Sequence, residues 1–153
     1  LPKPINEKEE KYFSCIKNFI DTKLKGFELI AAEKIVFAPK WGISGTIDLL
    51  MRNPEGKLCI FDWKTNKAIK KENRWQKGLT FLKHLDDCNY MHYSLQLNVY
   101  EKILKEEKYF EDDDIIKTLF YVNPEVNEIG VETIPVFGMD NEVDAISSRC
   151  KGR

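Results

Sequence analysis

The stretch that decides the fold reads Gly45-Thr46-Ile47-Asp48-Leu49-Leu50-Met51-Arg52, then Asn53-Pro54-Glu55-Gly56, then Lys57-Leu58-Cys59-Ile60-Phe61-Asp62-Trp63-Lys64. Two apolar runs flank a turn signal, with proline second and glycine fourth as a type I turn prefers. The pattern predicts a β-hairpin. One acid, Asp48, interrupts the first run. A second acid and a lysine, Asp62 and Lys64, end the other. Side chains alternate along a strand, so Asp62 and Lys64 share one face while Phe61 and Trp63 share the other.

A charge inside an apolar strand is costly unless it is paired or binds a metal. Two carboxylates brought together repel, and a hard cation relieves the repulsion; carboxylate oxygens suit Mg²⁺ or Mn²⁺. A lysine beside them can touch a phosphate. The same residues also fit a structural Asp–Lys pair on a solvated sheet face. Register separates the two readings. A four-residue loop with Arg52 opposite Lys57 puts Asp48 opposite Phe61 and turns Asp62 to the far face. A shared site needs Asp48 opposite Asp62, so a β-bulge or a divergence of the strands is expected between the turn and Asp48.

Gly45-Thr46-Ile47-Asp48, then Asp62-Trp63-Lys64-Thr65, then Gln96-Leu97-Asn98-Val99-Tyr100, in that order, resembles the PD-(D/E)XK nuclease superfamily, and within it the RecB-like branch. The strand Leu58 to Thr65 is similar to that of mitochondrial genome maintenance exonucleases. Tyr93 to Tyr100 is similar to nucleases of phages and large DNA viruses. The resemblance runs from about residue 30 to residue 104. It implies a restriction-endonuclease-like α/β core, a central mixed sheet flanked by helices in the order α-β-β-β-α-β. It implies metal-dependent hydrolysis of DNA phosphodiester bonds, with Mg²⁺ or Mn²⁺ held by Asp48 and Asp62. Glu33 and the backbone carbonyl of Trp63 would be further ligands. Lys64 would position the attacking water or stabilise charge, and Gln96 and Tyr100 would border the site. Two alternatives stay open: an RNA endonuclease on the same fold, and an inactive nucleic-acid-binding module.

At 153 residues with 42 % hydrophobic content, the chain has the length of one domain with a real core. Net charge is −1, but the charges are segregated. Lys64, Lys67, Lys70, Lys71, Arg74 and Lys77 face only Glu72 within one block, while Glu106 to Asp114 carries six acids against Lys108. The basic block follows the candidate catalytic lysine directly. At three- and four-residue spacing on a helix it forms one face for phosphates, with Thr65 at the strand end as a further phosphate contact or cap. DNA is the expected partner, as a single strand or strand end, with an attached or associated helicase or polymerase. Trp75 reads as core, with base stacking the alternative. His84 and His92 read as surface or capping residues.

Cys15, Cys59, Cys88 and Cys150 form no Cys-x-x-Cys pair. The tight C-terminal cysteine trio of cluster-bearing RecB-like nucleases is absent, so no iron–sulfur cluster is expected. Unpaired thiols point to an intracellular, reducing compartment. No stretch is apolar enough to span a membrane. The chain begins at Leu1, which reads as a processed or partial piece.

The remaining elements follow from periodicity and punctuation. Asn6 with Glu9 has capping-box spacing ahead of a helix built on Tyr12, Phe13, Ile16, Phe19, Ile20 and Leu24 and stopped by Gly26. Strand character runs over Phe27 to Phe37. A second helix is predicted from about Met91 to Glu107, with Leu95, Val99 and Ile103 toward the sheet. Glu111 to Asp114 reads as an exposed loop, Ile115 to Val122 and Ile129 to Val136 as strands, and Asp140 to Arg149 as a terminal helix.

Overall fold

A computed structural model describes residues 7–65 and 89–151. In chain order the elements are α1 (Glu7–Lys23), β1 (Glu28–Ala38), β2 (Ile43–Arg52), β3 (Leu58–Lys64), α2 (Asn89–Glu106), β4 (Ile116–Val122), β5 (Val131–Pro135) and α3 (Asp140–Lys151). The strands form one sheet in the order β1-β2-β3-β4-β5. β3 and β4 run parallel; every other neighbouring pair is antiparallel. A parallel pair needs a long crossover, and the chain between β3 and β4 contains α2. The result is a mixed sheet flanked by helices, the restriction-endonuclease-like α/β arrangement, with α3 added at the end. Asn6, the expected N-cap of α1, lies outside the described residues.

Among the described residues two cores form, one on each face of the sheet. On one face Phe19 of α1 and Leu24 just beyond its end pack against Cys59, Phe61, Phe120 and Val131. Phe120 is the hub, with ring centroids 4.8 Å from Phe19, 4.5 Å from Phe61 and 4.9 Å from Trp63. On the other face α2 and α3 supply Leu97, Tyr100, Ile103, Leu104 and Val143 against Leu50, Leu58, Ile60 and Leu119. Period-two alternation along β3 sends Phe61 and Trp63 to the α1 side and leaves Asp62 and Lys64 on the α2 side.

The hairpin corrects the expected register. Asn53 and Lys57, not Arg52 and Lys57, face each other: Asn53 N donates to Lys57 O at 2.9 Å, and Lys57 N donates to Asn53 Oδ1 at 2.8 Å. The loop is therefore the three residues Pro54, Glu55 and Gly56. Gly56 N closes the turn on Asn53 O at 2.8 Å, and Gly56 holds φ +85°. This is a type I turn completed by a left-handed residue, a position suited to glycine. The pairing then runs Arg52–Leu58, Met51–Cys59, Leu50–Ile60 and Leu49–Phe61 without a shift. The next positions in that register are Asp48 and Asp62. No bulge lies between the turn and Leu49; the one-residue change of register comes instead from a loop one residue shorter than expected.

The acidic segment is a loop, but not a free one. Arg52 grips Asp112 with two bonds, Nη1 to Oδ2 at 2.9 Å and Nη2 to Oδ1 at 3.1 Å. Lys57 lies 3.6 Å from Asp114. These pairs tie the hairpin to the chain entering β4. Arg52 holds the Asp112 carboxyl below its ordinary range through the hydrogen bonds first and its charge second.

Candidate active site

β2 and β3 part company after Leu49–Phe61, and the two aspartates lie where they separate. Asp48 Oδ2 accepts a hydrogen bond from Trp63 N at 3.0 Å, so a side chain takes over where the backbone ladder stops. Asp62, the last acid on β3, is 4 % exposed. Its Oδ2 is buried. Lys64 Nζ stands 2.7 Å from that same oxygen, in ion-pair contact. Burial is the main reason that the Asp62 carboxyl is pushed up to about 6. The adjacent Asp48 carboxyl pushes the same way, and Lys64 opposes both. The expected convergence of Asp48, Asp62 and Lys64 is thus present.

The backbone is irregular at this point. Ile47 and Leu50 both pack into the α2-side core, so alternation along β2 breaks between them, at Asp48. Across the ladder, between the pairs Ala32–Leu49 and Lys34–Ile47, Glu33 has φ +51°. A non-glycine residue in the left-handed region is uncommon and marks a local distortion. Glu33 itself is exposed. Among the described residues no third His, Cys, Asp or Glu joins the two aspartates in a ligand cluster.

α2 forms the opposite wall. Gln96 Nε2 donates to Tyr100 Oη at 3.0 Å; Gln96 is exposed and Tyr100 buried. Burial raises the Tyr100 hydroxyl above its usual range. The hydrogen bonds from Gln96 and the Thr46 backbone counter this, and the charges of Asp62 and Asp48 add to the rise, which places the hydroxyl within electrostatic reach of the acids. The ring comes this close because β2 carries glycine there. A Cβ on Gly45 would collide with the ring edge and stand 2.9 Å from the hydroxyl oxygen. One further residue lines the site without having been expected: Lys64 Nζ lies over the Tyr93 ring, 4.1 Å from its centre. Tyr93 is three residues before Gln96 and seven before Tyr100, a helical spacing that was legible in the sequence.

The remaining expected residues fall as follows. The Trp63 side chain packs on the far face with Phe19 and Phe120, while its backbone N–H serves Asp48. Thr65 is exposed at the end of β3. Lys67, Lys70, Lys71, Arg74 and Lys77 lie outside the described residues, as do Trp75 and His84. His92 is exposed beside Gln96, in a shallow recess of about 370 Å³ walled by Ile43, Leu95, Val99 and Ile146. A larger cavity, about 630 Å³, lies on the α1 side among Phe19, Phe27, Phe61 and Phe120. Size does not mark the chemistry here, because the acids and Lys64 are on the other face. Cys15 and Cys59 carry free thiols, and burial raises both.

The donor set suits a hard divalent cation. One buried carboxylate has an ammonium against its Oδ2, and a second carboxylate is fixed beside it by the backbone. Mg²⁺ is commonly held by only one or two carboxylates, with water completing its shell. No curated protein matches the chain in comparison. The model of the PD-(D/E)XK nuclease superfamily matches residues 4–146, almost the whole length, with Asp48, Asp62 and Lys64 converging inside that span. The chain belongs to the PD-(D/E)XK nuclease superfamily.

Proposed function

We propose that this protein hydrolyses DNA phosphodiester bonds with Mg²⁺ or Mn²⁺, as a RecB-like exonuclease acting in replication, repair or recombination. Membership of the superfamily suggests a metal-dependent nuclease, and its members generally use such ions. The observation that carries the reading is Asp62: a carboxyl only 4 % exposed, with the Lys64 ammonium 2.7 Å from its Oδ2 and the Asp48 carboxyl close enough to push it up. Two carboxyls so placed repel when both are ionised, and a bound cation relieves the repulsion.

Asp48 and Asp62 would hold the ion, with the Trp63 carbonyl as a further ligand; Glu33 is exposed and forms no cluster with them, so it would join only by a change of its side chain's position. When bound, the ion supplies Lewis acidity and lowers the pKa of coordinated water. Hydrolysis would join a water oxygen to phosphorus and break the bond to the leaving sugar oxygen, with the proton given up by the water balanced by the one that the leaving oxygen takes up. Lys64 offers a fixed positive charge to the phosphoryl oxygens as negative charge develops on them. Gln96 and Tyr100 line the wall that the strand would pass. Thr65, Lys67, Lys70, Lys71, Arg74 and Lys77 follow Lys64 along the chain and would track the phosphates of the strand.

The test is cleavage of end-labelled single- and double-stranded DNA, beside RNA of matched sequence, with Mg²⁺, with Mn²⁺ and with chelator. Metal-dependent shortening of DNA from an end is expected. It should be lost in Lys64→Ala while that variant stays folded. Cleavage of RNA alone would replace the substrate. Binding without cleavage under every metal condition would refute the enzymatic reading.

A further inference from the structure

Among the described residues Lys64 meets a carboxylate and an aromatic ring. Its Nζ lies 2.7 Å from Asp62 Oδ2 and 4.1 Å from the centre of the Tyr93 ring. The ring is partly buried and packs against the α2-side core, so its plane is fixed by that packing. The Lys64 side chain is 18 % exposed. A cation over an aromatic face is held more strongly where water is largely excluded than on an open surface.

The two contacts differ in what happens when a divalent cation binds. Asp62 Oδ2 is the oxygen best placed to take that cation. It is also the atom that the ammonium now approaches. Two cations on one buried carboxylate oxygen repel each other strongly, because charges interact more strongly out of water. An ammonium held by Asp62 alone would be driven from the site as the ion arrived. The face of an aromatic ring attracts an ammonium through its quadrupole, yet is a poor ligand for a hard divalent ion, which takes oxygen donors. A carboxylate in the place of Tyr93 would compete for the ion; the ring does not.

We propose that Tyr93 is the positioning residue for Lys64, its ring face anchoring the ammonium beside the aspartates when Asp62 gives its oxygen to a divalent cation. The functional consequence rests on the nuclease reading above; the anchoring does not. The anchor is the ring face and not the hydroxyl, so phenylalanine should replace tyrosine and an aliphatic residue should not.

The test has two arms. In the first, lysine ε-methylene signals are followed by NMR, with the Lys64 signal assigned by its loss in Lys64→Ala. An ammonium over a ring face shifts those protons upfield. The shift should be present in wild type and Tyr93→Phe, absent in Tyr93→Leu, and retained in wild type on adding Mg²⁺. In the second, cleavage kinetics should show Tyr93→Phe close to wild type. Tyr93→Leu should lose about tenfold in kcat, as expected for a partly buried cation–π contact, with little change in KM. Unfolding curves for both variants establish that each is folded. A Lys64 signal that is the same in Tyr93→Leu as in wild type, or that loses its upfield shift when Mg²⁺ is added, would overturn the anchor. Equal kcat in wild type and Tyr93→Leu would overturn its role in cleavage. If wild type itself does not cleave, the nuclease reading fails, while the spectra still decide the anchor.

Discussion

Replacing Asp62 by asparagine should make the metal-free protein more stable while disabling it. The Asp62 carboxyl is pushed up to about 6 in the folded chain, chiefly by burial and next by Asp48. A carboxyl raised in this way binds its proton more tightly folded than unfolded. Its contribution is fully present below about pH 4, the unfolded value, and is lost as pH rises through about 6. Above that, the ionised group costs the fold up to about 3 kcal/mol, since a tenfold change in proton affinity is worth about 1.4 kcal/mol. An asparagine side chain has no charge to bury, so Asp62→Asn should gain about 1–3 kcal/mol at pH 7.5 in chelator. For a domain of this size that is a rise in Tm of roughly 2–10 °C. The assay is urea or thermal unfolding of both proteins, in chelator, from pH 4.5 to 7.5. The difference between them should open as pH rises through this window. Adding Mg²⁺ should then stabilise wild type, by about 1.4 kcal/mol at ten times its Kd, and leave Asp62→Asn unmoved. A variant less stable than wild type at pH 7.5, or a difference that does not change with pH, would refute the account of a strained, ligand-seeking carboxylate.

Two further predictions concern the walls of the site. Gly45→Ala should cost about 1–3 kcal/mol as an overpacked core does, because its Cβ meets the buried Tyr100 ring. Urea unfolding measures this, and adding Tyr100→Leu should recover most of the loss; Gly45→Ala with wild-type stability would show that the ring moves freely. Replacing Lys70, Lys71 and Arg74 together by alanine should weaken DNA binding and flatten the slope of log affinity against log salt, by up to about three counterions. An unchanged slope would mark that block as a solvated face.

Several parts of this site could be read without coordinates, and the reason is local. Alternation along an extended strand puts Asp62 and Lys64 on one face whatever surrounds them, and helical spacing puts Gln96 beside Tyr100. The order of elements follows from periodicity and from the glycines and prolines that punctuate it; α2 was expected from about Met91 to Glu107 and runs Asn89–Glu106. Tyr93 was legible in the same way, from its spacing to Tyr100. What it meets was not, because nothing local says that Lys64 on another element will sit over its ring.

Whether Asp48 meets Asp62 hangs on a single residue of register, which local pattern does not constrain. Pro54 and Gly56 suit more than one loop length, and only the pairing of Asn53 with Lys57 selects three residues over four. A slip of one residue would have turned Asp62 away. Which helix covers the acids was likewise decided by long-range pairing. The parallel contact of β3 with β4, and the strand order that results, place α2 over Asp62 and leave α1 on the opposite face. Burial then raises the Asp62 carboxyl, a property of the assembled surroundings that the residue does not carry in the chain. Sequence determined which groups the site contains, since composition and short-range geometry are local. Tertiary structure decided that they meet, how deeply they are buried and what stands across from them, since those depend on residues far apart in the chain.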